Sequence, residues 1–143
     1  MKTHFLPCLC INTRSTAGVL TQYYNKTFSK MGITAMQFSL LVNIKIAGST
    51  NITKLTQFVK LDKSTLTRTL TPLIEIGYVN SERGKSKRET ILSLTPEGME
   101  IVEKAFPAWQ KLQEEIINYL GGEKEAEDFM NKLLKIQSLK ELI

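Results

Sequence analysis

The 143-residue chain is 42% hydrophobic and 23% charged and has only two cysteines, the profile of one globular domain, 1–143, that needs no disulfide scaffold and no structural metal. No apolar run nears the ~20 residues of a membrane span, and the start of the chain lacks a signal-peptide pattern, so a soluble, cytoplasmic protein with no membrane partner is expected. The net charge of +5 is uneven: residues 1–59 hold six basic side chains and no acidic one, residues 60–90 come to +3 and residues 91–143 to −4, which suits the first two thirds to a polyanion, nucleic acid first.

From about Leu9 to Met31, Ala17, Leu20, Tyr24 and Phe28 recur at helical spacing, and Gly32 ends the run. Thr34 followed by Gln37 reads as a capping box opening a second helix, which carries Phe38, Leu41 and Ile44. The polar cluster Gly48-Ser49-Thr50-Asn51 breaks it. Thr53 is expected to cap a short third helix with Leu55, Phe58 and Val59, stopping near Lys60-Leu61. Asp62 predicts the start of a fourth helix, because its carboxylate accepts first-turn amide hydrogens and complements the helix dipole, and Gly77 supplies the stop. Leu66, Leu70, Leu73 and Ile74 fall on one face of this helix, and Ser64, Thr67, Arg68 and Thr71 on the other. Pro72 inside it has no amide hydrogen for the carbonyl of Arg68, so a bend or a loosened turn is expected.

After Gly77 the period drops to 2, from Tyr78-Val79 to Ile91-Leu92-Ser93-Leu94, which predicts a β-hairpin. Its tip holds Arg83, Gly84, Lys85, Lys87 and Arg88. Thr95-Pro96 opens a long helix with Thr as cap and Pro at the first helical position. Phe106, Trp109, Leu112, Ile116 and Tyr119 or Leu120 form its apolar stripe, and Pro107 is a candidate bend. Gly121-Gly122 separates a last helix whose Phe129, Met130, Leu133, Leu134 and Ile136 cover more than one face and call for a partner.

Two short helices, the second with a polar outer face, followed by a hairpin with a cationic tip, make a winged helix-turn-helix, here mainly α with a small β-hairpin wing. The major groove of B-form DNA admits one such helix, and the hairpin then falls over the neighbouring backbone or minor groove. The candidate DNA-binding residues are Lys63, Ser64, Thr65, Thr67, Arg68 and Thr71 on the helix and Arg83, Lys85, Lys87 and Arg88 on the wing. Arg68 is the candidate reader of guanine, since its planar fork donates two hydrogen bonds to one base edge. Wing contacts to phosphates release counterions and make binding salt-dependent.

The stretches Leu61-Asp62-Lys63-Ser64-Thr65-Leu66-Thr67-Arg68 and Leu73-Ile74-Glu75-Ile76-Gly77-Tyr78-Val79, the basic wing, and Leu92-Ser93-Leu94-Thr95-Pro96-Glu97-Gly98 together resemble the MarR family of transcriptional regulators, almost end to end. The resemblance is strongest to members with a Cys-x-Cys near the start, here Cys8-Leu9-Cys10, and a proline late in the recognition helix, here Pro72. One departure is Ser86, where relatives usually have an aspartate that would hold the wing-tip arginine, here Arg88, by a charge-assisted hydrogen bond. The resemblance implies an obligate-type helical homodimer in which residues 1–32 and 96–143 interleave as dimerisation helices. Residues 33–95 then form the DNA-binding region, with two recognition helices about one DNA turn apart on a pseudo-palindromic operator. The apolar stripes of residues 9–31 and 106–139 agree independently, because they exceed what a small winged domain needs for its own core.

The resemblance further implies a repressor released by a signal. Cys8 and Cys10, near Lys2, His4 and Arg14, are candidates for oxidant sensing through a thiolate, for holding a soft metal ion, or for simple apolar packing. A small-molecule effector is the other mode, with Tyr23, Tyr24, Phe38 and Trp109 as aromatic residues that more often serve a core. An enzyme is disfavoured: the single histidine, His4, leaves a histidine-based triad without a well-placed base, and no phosphate-binding glycine loop or paired-carboxylate spacing occurs. A protein-binding winged helix without DNA contacts would be expected to expose apolar residues on the recognition face, where this sequence has Ser64, Thr67, Arg68 and Thr71. No cofactor is implied.

Overall fold

A computed structural model describes residues 8–86 and 88–143, so Lys2, His4 and Lys87 lie outside the described residues. The helices are α1 (Leu9–Phe28), α2 (Ala35–Ala47), α3 (Ile52–Val59), α4 (Lys63–Ile76), α5 (Pro96–Tyr119) and α6 (Glu123–Gln137). Short 3-10 turns follow α1 (Ser29–Met31) and α6 (Ser138–Leu142). Three strands, β1 (Ser49–Thr50), β2 (Val79–Arg83) and β3 (Thr90–Leu94), form an antiparallel sheet in the order β1-β3-β2. Two compact units are present, one up to Phe106 and one from Pro107 to Ile143.

Local chemistry accounts for most boundaries. Thr34 and Gln37 form the reciprocal capping box of α2, with Gln37 N–H donating to Thr34 Oγ1 at 3.1 Å and Thr34 N–H to Gln37 Oε1 at 2.9 Å. Gly32 and Gly77 end α1's final turn and α4 in the left-handed conformation, at φ 75° and 91°. α4 runs unbroken through Pro72, and α5 through Pro107. The cap of α3 is a correction: it is Asn51, not Thr53, with Lys54 N–H donating to Asn51 Oδ1 at 2.9 Å. Asn caps at least as well as Thr, and its position two residues earlier lets the helix start at Ile52 and places Thr53 inside the first turn.

The core of the first unit joins Phe28, Phe38, Leu40, Leu41 and Ile44 to Leu55 of α3 and to Leu66, Leu70 and Leu73 of α4. Val79 and Leu92 of the hairpin and Ile101, Val102 and Ala105 of α5 complete it. The rings of Phe28 and Phe38 stack with centroids 4.9 Å apart. Phe58 and Ile74, expected on apolar faces, point outward instead, at 66% and 36% exposure. Each sits at the margin of its helix's buried stripe, where the width of the neighbouring element decides burial. β1 has no counterpart among the elements expected from the sequence. It pairs Ser49 with Ser93 and Thr50 with Leu92, which ties the α2–α3 connection to the hairpin.

α4, the hairpin and α5 meet in a tight joint. Thr95 N–H donates to the Tyr78 carbonyl at 3.1 Å, and the Thr95 hydroxyl donates to the Gly77 carbonyl at 2.5 Å while accepting from Gly98 N–H at 3.0 Å. Gly98 is buried, and a Cβ there would run into the backbone carbonyl of Tyr78. In the second unit, Gly121 and Gly122 adopt φ 109° and 114°, and Gly122 N–H closes the end of α5 on the Ile117 carbonyl at 2.9 Å. Phe129, Met130, Leu134 and Ile136 of α6 are exposed in this single chain.

Candidate nucleic-acid interface

The helix-turn-helix is built by α3, the connection Lys60-Leu61-Asp62, and α4. Lys60 is the one non-glycine residue at positive φ (53°) among the described residues, and this left-handed cap turns the chain so that α4 can leave in a new direction. Asp62 then caps α4: Thr65 N–H donates to its Oδ1 at 2.8 Å and the Thr65 hydroxyl to its Oδ2 at 2.6 Å. The Thr65 hydroxyl and amide hold the Asp62 carboxyl below its ordinary pKa, because both donate to its ionised form.

The Asp62–Thr65 pair reaches the outer face through Arg68, whose Nη2 donates to Thr65 Oγ1 at 3.4 Å. Lys63, Ser64, Thr67, Arg68 and Thr71 are all exposed, while Thr65 is half-buried with its hydroxyl engaged at the cap. Thr67 and Thr71 donate their hydroxyl hydrogens to the carbonyls four residues back, Lys63 and Thr67, each at 2.8 Å. In this state they offer acceptor oxygens and methyl groups outward, so the donors of the α4 face reside chiefly on Ser64, Arg68 and Lys63. An acceptor-and-methyl surface flanking one forked donor matches the mixed pattern of base edges in a major groove.

The wing follows from β2 and β3, paired in register from Val79 with Leu94 to Arg83 with Thr90. Its tip closes with Gly84 N–H donating to the Glu89 carbonyl at 2.8 Å and Glu89 N–H to the Ser86 carbonyl at 3.1 Å. Arg83, Lys85, Ser86 and Arg88 are exposed there. An open notch of about 410 Å³ lies between the start of α3, Lys63 at the start of α4, and Ser86, Arg88 and Glu89 of the wing. Of the expected contact residues, Lys63 of α4 and Arg88 of the wing line this notch from its two sides. Two residues at this place do not stand out as site residues in the sequence, Asn51 and Glu89, whose side chains bond across it at 3.4 Å. The available signal for Asn51 is its strength as a helix cap, and Glu89 is legible only as the start of a strand.

Cys8 and Cys10 lie apart from this region, at the cap and in the first turn of α1, both free and exposed. Residues two apart in a helical turn point to different sides, so the two thiols of one chain do not face each other while the turn is intact. Among the described residues there is no group of three or more metal-ligating side chains and no helix long and apolar enough to cross a membrane. Phe38 is buried and Tyr24 half-buried, with the Tyr24 ring 6.2 Å from that of Phe28, which places both against the core.

Comparison with known proteins agrees with this geometry. The family model described as "MarR family" matches residues 33–90, the stretch from the start of α2 to the start of β3. The multiple antibiotic resistance protein MarR of Salmonella typhimurium is 31% identical over 114 residues, covering 77% of this chain and 79% of that protein. A crystal structure of an E. coli MarR variant complexed with operator DNA superposes with a TM-score of 0.80 at 25% identity, covering 90% of this chain and 92% of the other. The M. tuberculosis transcriptional regulator MOSR in complex with DNA gives a TM-score of 0.81 at 27% identity, covering 92% of this chain and 97% of the other. Together with the capped recognition helix and its basic wing, these similarities show that the chain belongs to the MarR family of winged helix-turn-helix, DNA-binding transcriptional regulators.

Proposed function

We propose that this protein acts in the cytoplasm, and not as an enzyme, as a homodimeric repressor that binds a pseudo-palindromic duplex operator and leaves it on a small-molecule or oxidant signal. Residues 1–32 and 96–143 supply the dimerisation helices, and 33–95 the DNA-binding region. Ser64, Thr67, Arg68 and Thr71 enter the major groove, with Arg68 reading a guanine. Thr65 holds Arg68 from behind, and Lys63 takes a phosphate at the start of α4. Arg83, Lys85, Lys87 and Arg88 bind the adjoining backbone or minor groove. The observation that carries this reading is the exposed hydroxyl-and-guanidinium face of α4, whose first residue, Lys63, lines a notch with Arg88 of the cationic wing tip. The family's DNA-bound members support it.

An oxidant signal is favoured by two free, exposed thiols at the start of α1, a helix assigned to the dimer. Since the two do not face each other within one turn, a disulfide joins them across the dimer or requires the first turn to unwind.

Selection from a pool of random duplexes tests both parts of the reading. The protein is expected to enrich one two-fold-related sequence and to release it when peroxide is added. A pool that emerges unenriched sinks the DNA reading. Normal release by peroxide from a Cys8→Ser, Cys10→Ser double variant removes the thiols from the sensing step and leaves the small-molecule route.

A further inference from the structure

Among the described residues, the turn at the wing tip is closed by two backbone hydrogen bonds, both made by Glu89. The Glu89 side chain adds a third connection, leaving the wing altogether. Asn51 Nδ2 donates to Glu89 Oε1 at 3.4 Å across 38 residues of sequence, and both side chains are half-buried. Asn51 is at the same time the cap of α3, its Oδ1 accepting from Lys54 N–H at 2.9 Å. One amide thus has its oxygen on the first helix of the helix-turn-helix and its nitrogen on the wing. Behind this bond, the carboxylate lies over Gly84, where a Cβ would stand 2.8 Å from Glu89 Oε2, so the glycine leaves room for the carboxylate to pass beneath the tip. The other carboxylate of the hairpin, Glu82, is held by Asn80 Nδ2 at 2.9 Å on its own strand. Ser86 at the tip is neutral, which leaves Glu89 as the acid facing the notch.

We propose that Asn51 and Glu89 are positioning residues for DNA binding: their hydrogen bond between the cap of α3 and the wing tip sets the cationic tip at a fixed place relative to the recognition helix. The inference rests on the DNA-binding reading above. The physical reason for a benefit is that both arms engage one rigid duplex, so a tip held in place before binding loses less conformational freedom on contact. An acid beside DNA phosphates otherwise only repels them, and its presence at the interface calls for a compensating role of this kind.

The two roles of Glu89 predict opposite signs. If it were merely a surface acid, Glu89→Ala would tighten binding to the duplex selected by the wild-type protein. As half of a latch, Glu89→Ala weakens it about fivefold to tenfold, the loss expected from one ordinary hydrogen bond, since 3.4 Å is too long for full charge-assisted strength. Glu89→Gln keeps the acceptor oxygen and binds at least as tightly as wild type. Asn51→Ser keeps a helix cap and adds no charge but is too short to reach Glu89, and it weakens binding to a similar extent. The Asn51→Ser, Glu89→Ala double variant is no weaker than the weaker single, because one bond is lost only once. In the DNA-free protein, the backbone amides of Gly84, Lys85 and Ser86 gain fast motion by 15N relaxation in Glu89→Ala and Asn51→Ser while the helices keep their rigidity. Tighter binding by Glu89→Ala, additive losses in the double variant, or unchanged tip dynamics overturns the latch. A wild-type protein that enriches no duplex overturns the DNA reading instead, and the relaxation measurement still decides whether the pair holds the wing.

Discussion

Arg68, the proposed reader of a base, rests lightly on its own helix. Its Nη2 rests on the Thr65 hydroxyl at 3.4 Å, and that hydroxyl is committed to the Asp62 carboxylate at 2.6 Å. The second bond is short and involves a charge; the first is long and leaves the guanidinium able to move to a base edge at little loss. Replacing Arg68 by Ala is therefore expected to cost about 1–3 kcal/mol of discrimination between the selected operator and a duplex altered at the base it reads. Binding to unrelated duplexes should change much less. Equal losses on both duplexes, measured by competition titration, would assign Arg68 to the phosphates.

At the scale of elements, the proposed work is divided between the helix and the wing. The wing's described cations, Arg83 at the end of β2 and Lys85 and Arg88 in the turn beyond it, are exposed and offer no periodic face to a groove, which suits them to phosphate neutralisation. An Arg83→Ala, Lys85→Ala, Arg88→Ala variant is expected to weaken binding to all duplexes alike. It should also flatten the dependence of log affinity on log salt by about 0.9 for each phosphate that is no longer neutralised. An unchanged slope with reduced discrimination would reverse the assignment. What the sequence discloses at this scale is whatever local chemistry decides. The Thr34–Gln37 box, the Asp62 cap and the stops at Gly32 and Gly77 are all set within four residues of chain, and each is legible. β1 is not, since two residues carry no period and acquire their strand only by pairing with Ser93 and Leu92. Spacing alone turns Phe58 and Ile74 inward, whereas their exposure depends on what lies across from them in three dimensions. The Asn51–Glu89 bond spans 38 residues and has no signature in either segment.

At the scale of the whole molecule, the exposed apolar surface is the dominant fact. Leu9, Ile11 and Val19 of α1 are each more than half exposed, and Met130, Leu139, Leu142 and Ile143 near the carboxyl end are as well. Residues of this type are seldom left in water in such number at both ends of a chain, and a second copy that covers them makes folding and association one process. Multi-angle light scattering at micromolar concentration is expected to give the mass of a dimer, and the thermal midpoint should rise with protein concentration. A monodisperse monomer would refute the two-fold architecture.

The joint at Thr95 bears on how motion passes through the first unit. Its amide and hydroxyl fasten to the Tyr78 and Gly77 carbonyls, at the point where the recognition helix ends and the wing begins, and the absence of a side chain at Gly98 lets α5 seat directly on that backbone. No slack loop intervenes. A rotation of the start of α5 is therefore expected to carry the end of α4 with it, as a shaft carries its crank.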